Sequence, residues 1–262
     1  MSTRLRVDLA GYHHIINRGV NRCDIFNSND DKEMFLQIFN KTAIIHKVIL
    51  HDYCLMDNHY HLLIETTKDN LSTLMRTLNA NYAKYFNKRY TRSGHLFQNR
   101  YKSKYIISEN YFYTLLRYIE NNPIEASITD KVSQYPYTLS YLLFNDKTYY
   151  PCCNDSILIK EFDIKTLNEF LGEPISEKEL EYLKSKAKQK IHKEDNEIKI
   201  SQSKQFQEHF YNISTKRDRN LAILHAYEDG YTQVNIANYL SLSTSLVSKV
   251  IKSESGYSIT GV

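Results

Sequence analysis

The segment Asp57-Asn58-His59-Tyr60-His61-Leu62-Leu63-Ile64-Glu65 combines a pair of histidines with an apolar run. Successive side chains of a β-strand point to opposite faces, so this strand has a polar face and an apolar face. The polar face carries His59, His61, Leu63 and Glu65. The other face carries Tyr60, Leu62 and Ile64, which we expect to point into the core. Two imidazoles about 6–7 Å apart can converge on one cation, although an ordinary strand end shows the same pattern.

The neighbouring sequence predicts a compact α+β domain around this strand. Period-two patterns indicate further strands over residues 11–18 and 48–56, the second forming a hairpin with 59–66. Helical spacing of apolar residues predicts helices over 29–46 and 71–88, and a third that begins after Ser108 and ends at Pro123. This order suits helices packed on an antiparallel sheet.

Two adjacent histidines, His13 and His14, lie in the first strand. Neighbouring residues of a strand face opposite sides, so the two cannot both join one site. For each of them, the sequence favours a structural or surface role.

Composition and cysteine usage restrict the class of protein. The chain has 262 residues, a formal charge of +4, 22 tyrosines and four cysteines. The charge alone says little about partners. Without a C-x-x-C pair, the cysteines indicate reduced thiols and a cytoplasmic protein. No apolar run reaches transmembrane length and no signal peptide is evident, so we expect no membrane association.

Residues 70–108 contain no Asp or Glu but many cations and aromatic rings. Cations neutralise phosphates and aromatic faces stack unpaired bases, so this stretch favours nucleic-acid binding. The predicted contact residues are Arg89, Arg92, Arg100, Lys102 and Lys104, expected to line a groove leading to the histidines. The alternative is a solvated basic helix with its aromatics in the core, which is the better interpretation for Tyr82 and Tyr85.

The third predicted helix offers a nucleophile beside a metal ligand. Tyr118 and Asn122 lie one turn apart on one helical face, and an Asn carboxamide oxygen is a reasonable ligand for Mg²⁺ or Mn²⁺. A tyrosine is a poor nucleophile at neutral pH, and a divalent cation could aid its activation. Tyr111 shares the face with Tyr118 because seven residues make almost two turns. Only the position of Asn122, one turn beyond Tyr118, separates the two candidates.

The C-terminal part reads as a separate helical unit. Residues 176–204 mix lysines and glutamates at helical spacing, which predicts a solvated helix and linker. Helices over 216–228, 233–239 and 243–252 follow, with Thr232 and Ser243 as N-caps and Val234 among the predicted core residues. This is a helix-turn-helix pattern that could bind duplex DNA. The predicted exposed contacts are Thr244, Ser245, Ser248 and Lys249. The resulting domains are 1–150, a connector over 151–212, and 213–255.

Several segments, in order, resemble the motifs of one known family. They are Arg18-Gly19 with Arg22, Cys54 to Leu63, Tyr85-Phe86-Asn87, Ser93 to Gln98 with Phe97 in place of the usual Trp, Arg117 to Pro123, and Tyr135-Pro136-Tyr137. Over about residues 4–150, the chain resembles the REP-associated tyrosine transposases, which belong to the single-tyrosine HUH transposases. The name HUH refers to two histidines flanking a bulky apolar residue, as in His59-Tyr60-His61.

This resemblance implies a fold and a reaction. The fold is a ferredoxin-like antiparallel sheet with packed helices. The reaction is cleavage and rejoining of single-stranded DNA, with hairpins formed by REP-like palindromes as substrates. Tyr118 would be the nucleophile that forms a 5′-phosphotyrosine, and His59, His61 and Asn122 would hold Mg²⁺ or Mn²⁺. Related enzymes are monomers or dimers, and we expect a monomer.

Two other functions fit the same residues. A DNA- or RNA-binding regulator would keep the basic stretch without cleaving. A metal-dependent phosphodiester hydrolase would use a metal-bound water and leave no covalent adduct.

Overall fold

A computed structural model describes residues 8–186, 190–194, 197–201, 206–211, 213–228, 231 and 233–257. The chain divides into two compact units, and the boundary lies between Leu183 and Lys184. Each unit is described by itself below. None of the helices in these ranges has both the length and the apolar character needed to cross a bilayer.

The first unit contains a four-stranded antiparallel sheet with packed helices, which confirms the predicted fold class. Its elements are β1 (Gly11–Arg18), α1 (Asn29–His46), β2 (Val48–Met56), β3 (His59–Thr66), α2 (Leu71–Arg89), β4 (Lys102–Ile106) and α3 (Glu109–Glu125). The strand order is β2-β3-β1-β4. A β-α-β-β-α-β chain with this order is ferredoxin-like, and it places the two-histidine strand β3 in the interior of the sheet.

The two faces of β3 meet different helices. Tyr60, Leu62 and Ile64 are fully buried on the face that α1 and α2 cover. The Tyr60 hydroxyl donates to Asn79 Oδ1 of α2 at 2.8 Å, and its ring lies 4.8 Å from that of Phe35 in α1. The opposite face carries the histidines and is covered by α3. Both faces of β3 are therefore packed, which explains why Leu63 is also fully buried.

The helix α3 continues through Pro123 to Glu125, so the predicted end at Pro123 was wrong. A proline has no N–H, which leaves the carbonyl of Ile119 without its usual donor four residues on. The side chain of Asn122 supplies a substitute, because its Nδ2 donates to Ile119 O at 3.3 Å and to Tyr118 O at 2.6 Å. This local compensation allows the helix to extend past the proline.

The first unit also extends past residue 150, the predicted end of its domain. The helices α4 (Leu139–Phe144), α5 (Ile157–Lys160), α6 (Ile164–Gly172) and the start of α7 (Glu177–Lys186) pack on it. Four leucines anchor residues 151–183 in the core of the unit, namely Leu158, Leu167, Leu171 and Leu183. The Ser156 hydroxyl also donates to His51 O at 2.6 Å. This segment is therefore part of the first unit and not a connector.

The second unit begins with an antiparallel pair of strands, β5 (Lys190–Glu194) and β6 (Glu197–Ser201). The sequence predicts a solvated helix and linker over 176–204, but within the described residues of that range only α7 is helical. In β6, Ile198 and Ile200 lie at alternate positions, and Ile191 of β5 pairs with Ile200 across the two strands. Alternating β-branched residues favour extended structure over helix, which explains the difference.

Three helices complete the second unit, namely α8 (Lys216–Glu228), α9 (Gln233–Tyr239) and α10 (Thr244–Tyr257). Their small core includes Ile223, Ile236 and Val247. Val234 is 54% exposed, so its assignment to the core was wrong. It lies two positions before the buried Ile236, which places it on the other side of α9. The Leu246 amide donates to Ser243 Oγ at 3.2 Å, which supports Ser243 as the N-cap. The last helix continues past the expected end at Lys252, and the predicted cap Thr232 lies outside the described residues.

Candidate active site

The histidines of β3 and the tyrosine of α3 meet on one face of the sheet. The ring centroids of His59 and His61 are 5.2 Å apart, and the rings are nearly perpendicular. The Tyr118 ring approaches His61 edge-on, with 5.8 Å between the centroids. Residues 57 apart in the chain are brought together because α3 packs across β3. Three of the predicted site residues therefore form one cluster.

Each histidine of this pair has a hydrogen bond at its Nδ1 atom. His59 Nδ1 lies 2.6 Å from Asn58 Oδ1, an atom that can only accept, so Nδ1 carries the proton and Nε2 a lone pair. His61 Nδ1 lies 2.9 Å from His14 Nε2. Burial lowers the pKa of His59, and it lowers the pKa of His61 to about 3. Both rings are therefore neutral at pH 7, as a metal ligand must be.

The sequence reasoning missed His14, which it assigned to a structural or surface role. The antiparallel register of β1 and β3 places His14 on the face of the histidine pair, where its ring stacks on His61 at 5.2 Å. His13 points to the other face and contacts Leu9 O at 2.8 Å, as expected for a structural residue. The alternation of side chains along β1 predicts that only one of His13 and His14 can join a site. The pairing of β1 with β3 shows that this residue is His14.

Tyr118 and Tyr111, the two tyrosines left open by helical spacing, occupy different surroundings. Tyr118 contacts His61 and His14, and its hydroxyl has no hydrogen-bond partner among the described residues. Burial raises the pKa of Tyr118, followed in effect by the charge of Glu125, so the phenol is protonated at neutral pH. Tyr111 is only 3% exposed and packs against the Tyr182 ring at 6.1 Å. Of the two, only Tyr118 lies at the histidine pair.

The predicted ligands His59, His61 and Asn122 keep free donor atoms that could bind a divalent cation. In the part of the chain that the structure describes, no group of three His, Cys, Asp or Glu side chains is arranged to hold a metal. The candidate set instead combines two imidazoles with the amide of Asn122. The Nδ1 atoms of His59 and His61 and the Nδ2 atom of Asn122 are engaged, which leaves two Nε2 atoms and one amide oxygen. Nitrogen and amide oxygen donors of this kind suit Mn²⁺, and the oxygen suits Mg²⁺.

Two of the predicted DNA contacts share the sheet face of the histidines. In the register of β1 and β4, Lys102 lies opposite Ile16 and Lys104 opposite His14. Lys104 is half-buried, and its ammonium has no ion-pair partner among the described residues. Burial, and then the charge of Lys102, lowers the pKa of Lys104. A half-buried cation without a counterion is suited to binding an anion such as a phosphate.

Arg18 is a further cation at the site, which the sequence reasoning named only as part of a motif. It lies directly opposite His59 in the β1–β3 register and is exposed. Its charge contributes to lowering the pKa of both His59 and His61. The signal that could have identified it is the register, because residue 18 is the last of β1 and pairs with the first of β3.

Of the other predicted contacts of the basic stretch, Arg89 lies apart from the histidines. Arg89 at the end of α2 donates to Asp30 Oδ2 at 2.9 Å and to the Tyr85 hydroxyl at 2.6 Å. Because α1 and α2 cover the opposite sheet face, this arginine is held away from the site. The guanidinium of Arg92 lies 5.5 Å from the Phe86 ring, and Arg100 is exposed in the loop before β4. Arg89 is therefore not part of a groove that leads to the histidines.

The predicted contacts of the second unit lie at the start of α10. Thr244, Ser245 and Lys249 are exposed and Ser248 is half-buried. Their small polar side chains surround the buried Val247, as a helix packed on one side requires.

Comparison with known proteins shows what the first unit is similar to. Residues 9–122 match the family model of IS200-like transposases. The chain is similar in structure to a REP-associated tyrosine transposase bound to a REP hairpin, with a TM-score of 0.46 and 16% identity over 63% of this chain and 96% of that one. It is also similar to a candidate transposase from Deinococcus radiodurans, with a TM-score of 0.34 and 19% identity over 46% of this chain and 96% of that one. No curated protein matches the sequence.

The family match covers the histidine pair, Tyr118 and Asn122, and it confirms at family level the resemblance drawn from the sequence motifs. Residues 9–122, which contain the whole histidine and tyrosine cluster, are therefore similar to the IS200-like transposases.

Proposed function

We propose that this chain is a transposase that cleaves and rejoins hairpin-bearing single-stranded DNA, with Tyr118 as the nucleophile. The observation that carries this proposal is the contact between the Tyr118 ring and His61, within residues that are similar to the IS200-like transposases. Tyr118 packs against His61, and His61 and its neighbour His59 each have a free Nε2 atom, so the proposed nucleophile lies next to the proposed cation site.

In the proposed reaction, the oxygen of Tyr118 attacks the scissile phosphorus and the bond to the 3′-oxygen breaks. The phenol loses one proton and the departing 3′-oxygen gains one, so the products are a 5′-phosphotyrosine and a free 3′-hydroxyl. Attack by a second 3′-hydroxyl reverses the step and joins the new strand. One phosphodiester-type bond replaces another in each step, so no external energy source is needed.

His59, His61 and Asn122 are the residues that would hold Mg²⁺ or Mn²⁺ in this site. The bound cation would polarise the scissile phosphate and offset its negative charge. Arg18 and Lys104 lie beside the histidines on the same sheet face and would bind the flanking phosphates. The contact with DNA would extend along the nucleic-acid strand through Lys102, Arg100 and Arg92. Arg89 would contribute least because of its ion pair with Asp30.

The remaining features of the proposal concern substrate, assembly and location. REP-like palindromes that fold into hairpins are the proposed substrates, as the motif resemblance implies. Thr244, Ser245, Ser248 and Lys249 of α10 would contact duplex DNA in the manner of a recognition helix. We propose a monomer, and free cysteines at all four positions agree with a cytoplasmic protein.

One experiment separates this function from the two alternatives. The full chain is incubated with Mn²⁺ and an end-labelled hairpin-bearing strand, and the products are resolved under denaturing conditions. A transposase of this kind gives a protein–DNA adduct that survives denaturation. Cleavage without an adduct indicates the hydrolase, and binding without cleavage indicates the regulator.

A further inference from the structure

His14 makes the only side-chain hydrogen bond to His61 among the described residues. The two nitrogens are 2.9 Å apart, and the side chains are 1% and 4% exposed. Water has almost no access to this contact, so the hydrogen bond is not exchanged with solvent. The contact occupies Nδ1 of His61 and leaves Nε2 as its free nitrogen.

Two ring nitrogens 2.9 Å apart share one hydrogen atom, so one of the two rings donates and the other accepts. If His61 Nδ1 donates to His14 Nε2, then His61 Nε2 carries a lone pair and can bind a cation. If the direction is reversed, His61 Nε2 carries the proton and cannot bind one. The Nδ1 atom of His14 is buried without a partner in both arrangements, so it does not favour either direction.

His59 shows which direction suits the site. Its Nδ1 donates to Asn58 Oδ1, so its Nε2 is free. A cation held by the pair requires the same state at His61, and His14 is the acceptor that provides it. Hydrogen bonds of this kind to the second nitrogen of a ligand histidine fix its tautomer and orientation.

We propose that His14 is a positioning residue that accepts the Nδ1 proton of His61 and thereby commits Nε2 of His61 to the divalent cation. The inference rests on the proposed function for the identity of the ligands. It requires no contact between His14 and the DNA or the cation. Its effect is on the affinity for the cation, and therefore on every step that needs it.

The test compares three variants of the full chain. His14→Phe keeps a flat ring but removes the acceptor, whereas His14→Gln places an amide oxygen where Nε2 was. His13→Gln is the matched control, since His13 is the next residue and faces the other side of the sheet, bonded to Leu9 O. Mn²⁺ affinity is measured by titration calorimetry in the absence of DNA, and folding is checked by circular dichroism.

We expect His14→Phe to weaken Mn²⁺ binding at least about tenfold, and His14→Gln and His13→Gln to keep it within about threefold. Unchanged affinity in a folded His14→Phe variant overturns the proposal, and so does an equal loss in His14→Phe and His14→Gln. Because no DNA is present, the result does not depend on whether the chain cleaves DNA.

A second measurement keeps the proposal open to refutation if His14→Phe does not fold. Nitrogen–proton correlation spectra of the imidazoles report the tautomer of each histidine in the metal-free wild-type chain. The proposal expects His61 to carry its proton on Nδ1. A proton on Nε2 of His61 overturns it.

Discussion

Replacing Tyr118 or Tyr111 by Phe tests the assignment of the nucleophile, because each change removes one oxygen and keeps the ring. The Tyr118 hydroxyl has no hydrogen-bond partner among the described residues, so its loss should change the free energy of unfolding by less than about 0.5 kcal/mol. The buried Tyr111 hydroxyl has no hydrogen-bond partner in the part of the chain that the structure describes, and burying such a group costs about 1–3 kcal/mol. Its removal should raise the free energy of unfolding by about 1 kcal/mol, or about 2–4 °C in Tm for a unit of this size.

The two variants should therefore behave in opposite ways in two assays. With Mn²⁺ and a labelled hairpin strand, Tyr118→Phe should bind DNA but form no covalent adduct, whereas Tyr111→Phe should form it at the wild-type rate. In thermal unfolding, Tyr111→Phe should have a higher Tm than the wild type, and Tyr118→Phe should have the same Tm as the wild type. A covalent adduct with Tyr118→Phe would refute the assignment and make Tyr111 the next candidate. A lower Tm for Tyr111→Phe would refute the argument about its buried hydroxyl.

Three further predictions follow from the positions of charged groups and from the two units. Lys104→Gln should weaken single-strand binding and reduce the slope of log affinity against log salt by about 0.7. Arg89→Gln should have a smaller effect, because the Arg89 guanidinium pairs with Asp30. Fluorescence anisotropy at several salt concentrations measures both effects. Deleting 206–262 should spare cleavage of short single strands and weaken binding to longer targets, as gel-shift titrations would show. Burial lowers the pKa of His13 to about 4, so the unfolded chain takes up a proton below pH 6.5 that the folded chain refuses. From pH 7 to pH 5, the free energy of unfolding should therefore fall by about 2 kcal/mol more in the wild type than in His13→Gln. Urea denaturation at the two pH values measures this difference. An equal fall in both proteins would contradict the lowered pKa of His13.

The fold of the first unit could be predicted from the sequence because its elements have strong local patterns. The strand β3 begins at His59 and ends at Thr66, where the alternation of polar and apolar residues begins and ends. The predicted pairing of His59 with His61 on one face depends only on that alternation. The expected end at Pro123 was wrong because a side chain, Asn122, compensates for the missing N–H.

The parts that could not be predicted depend on which elements meet. His14 belongs to the site because β1 pairs with β3 in one particular register, and the sequence of β1 contains no signal for that register. The sequence does not show that Arg89 pairs with Asp30, because this contact depends on the packing of α2 on α1. Residues 151–183 were predicted to be a connector, yet leucines such as Leu158 anchor them in the core of the first unit.

The two outer strands of the sheet are protected in different ways. The outer side of β2 is covered, since Leu55 N donates to Tyr137 O at 3.0 Å and Cys54 pairs with Thr138. The strand β4 pairs only with β1 among the described strands, and its outer edge carries Lys102 and Lys104. Lysines on an open edge prevent two sheets from joining edge to edge. We therefore expect these two charges to oppose edge-to-edge association, and variants that remove both should be checked for self-association before any loss of DNA binding is interpreted.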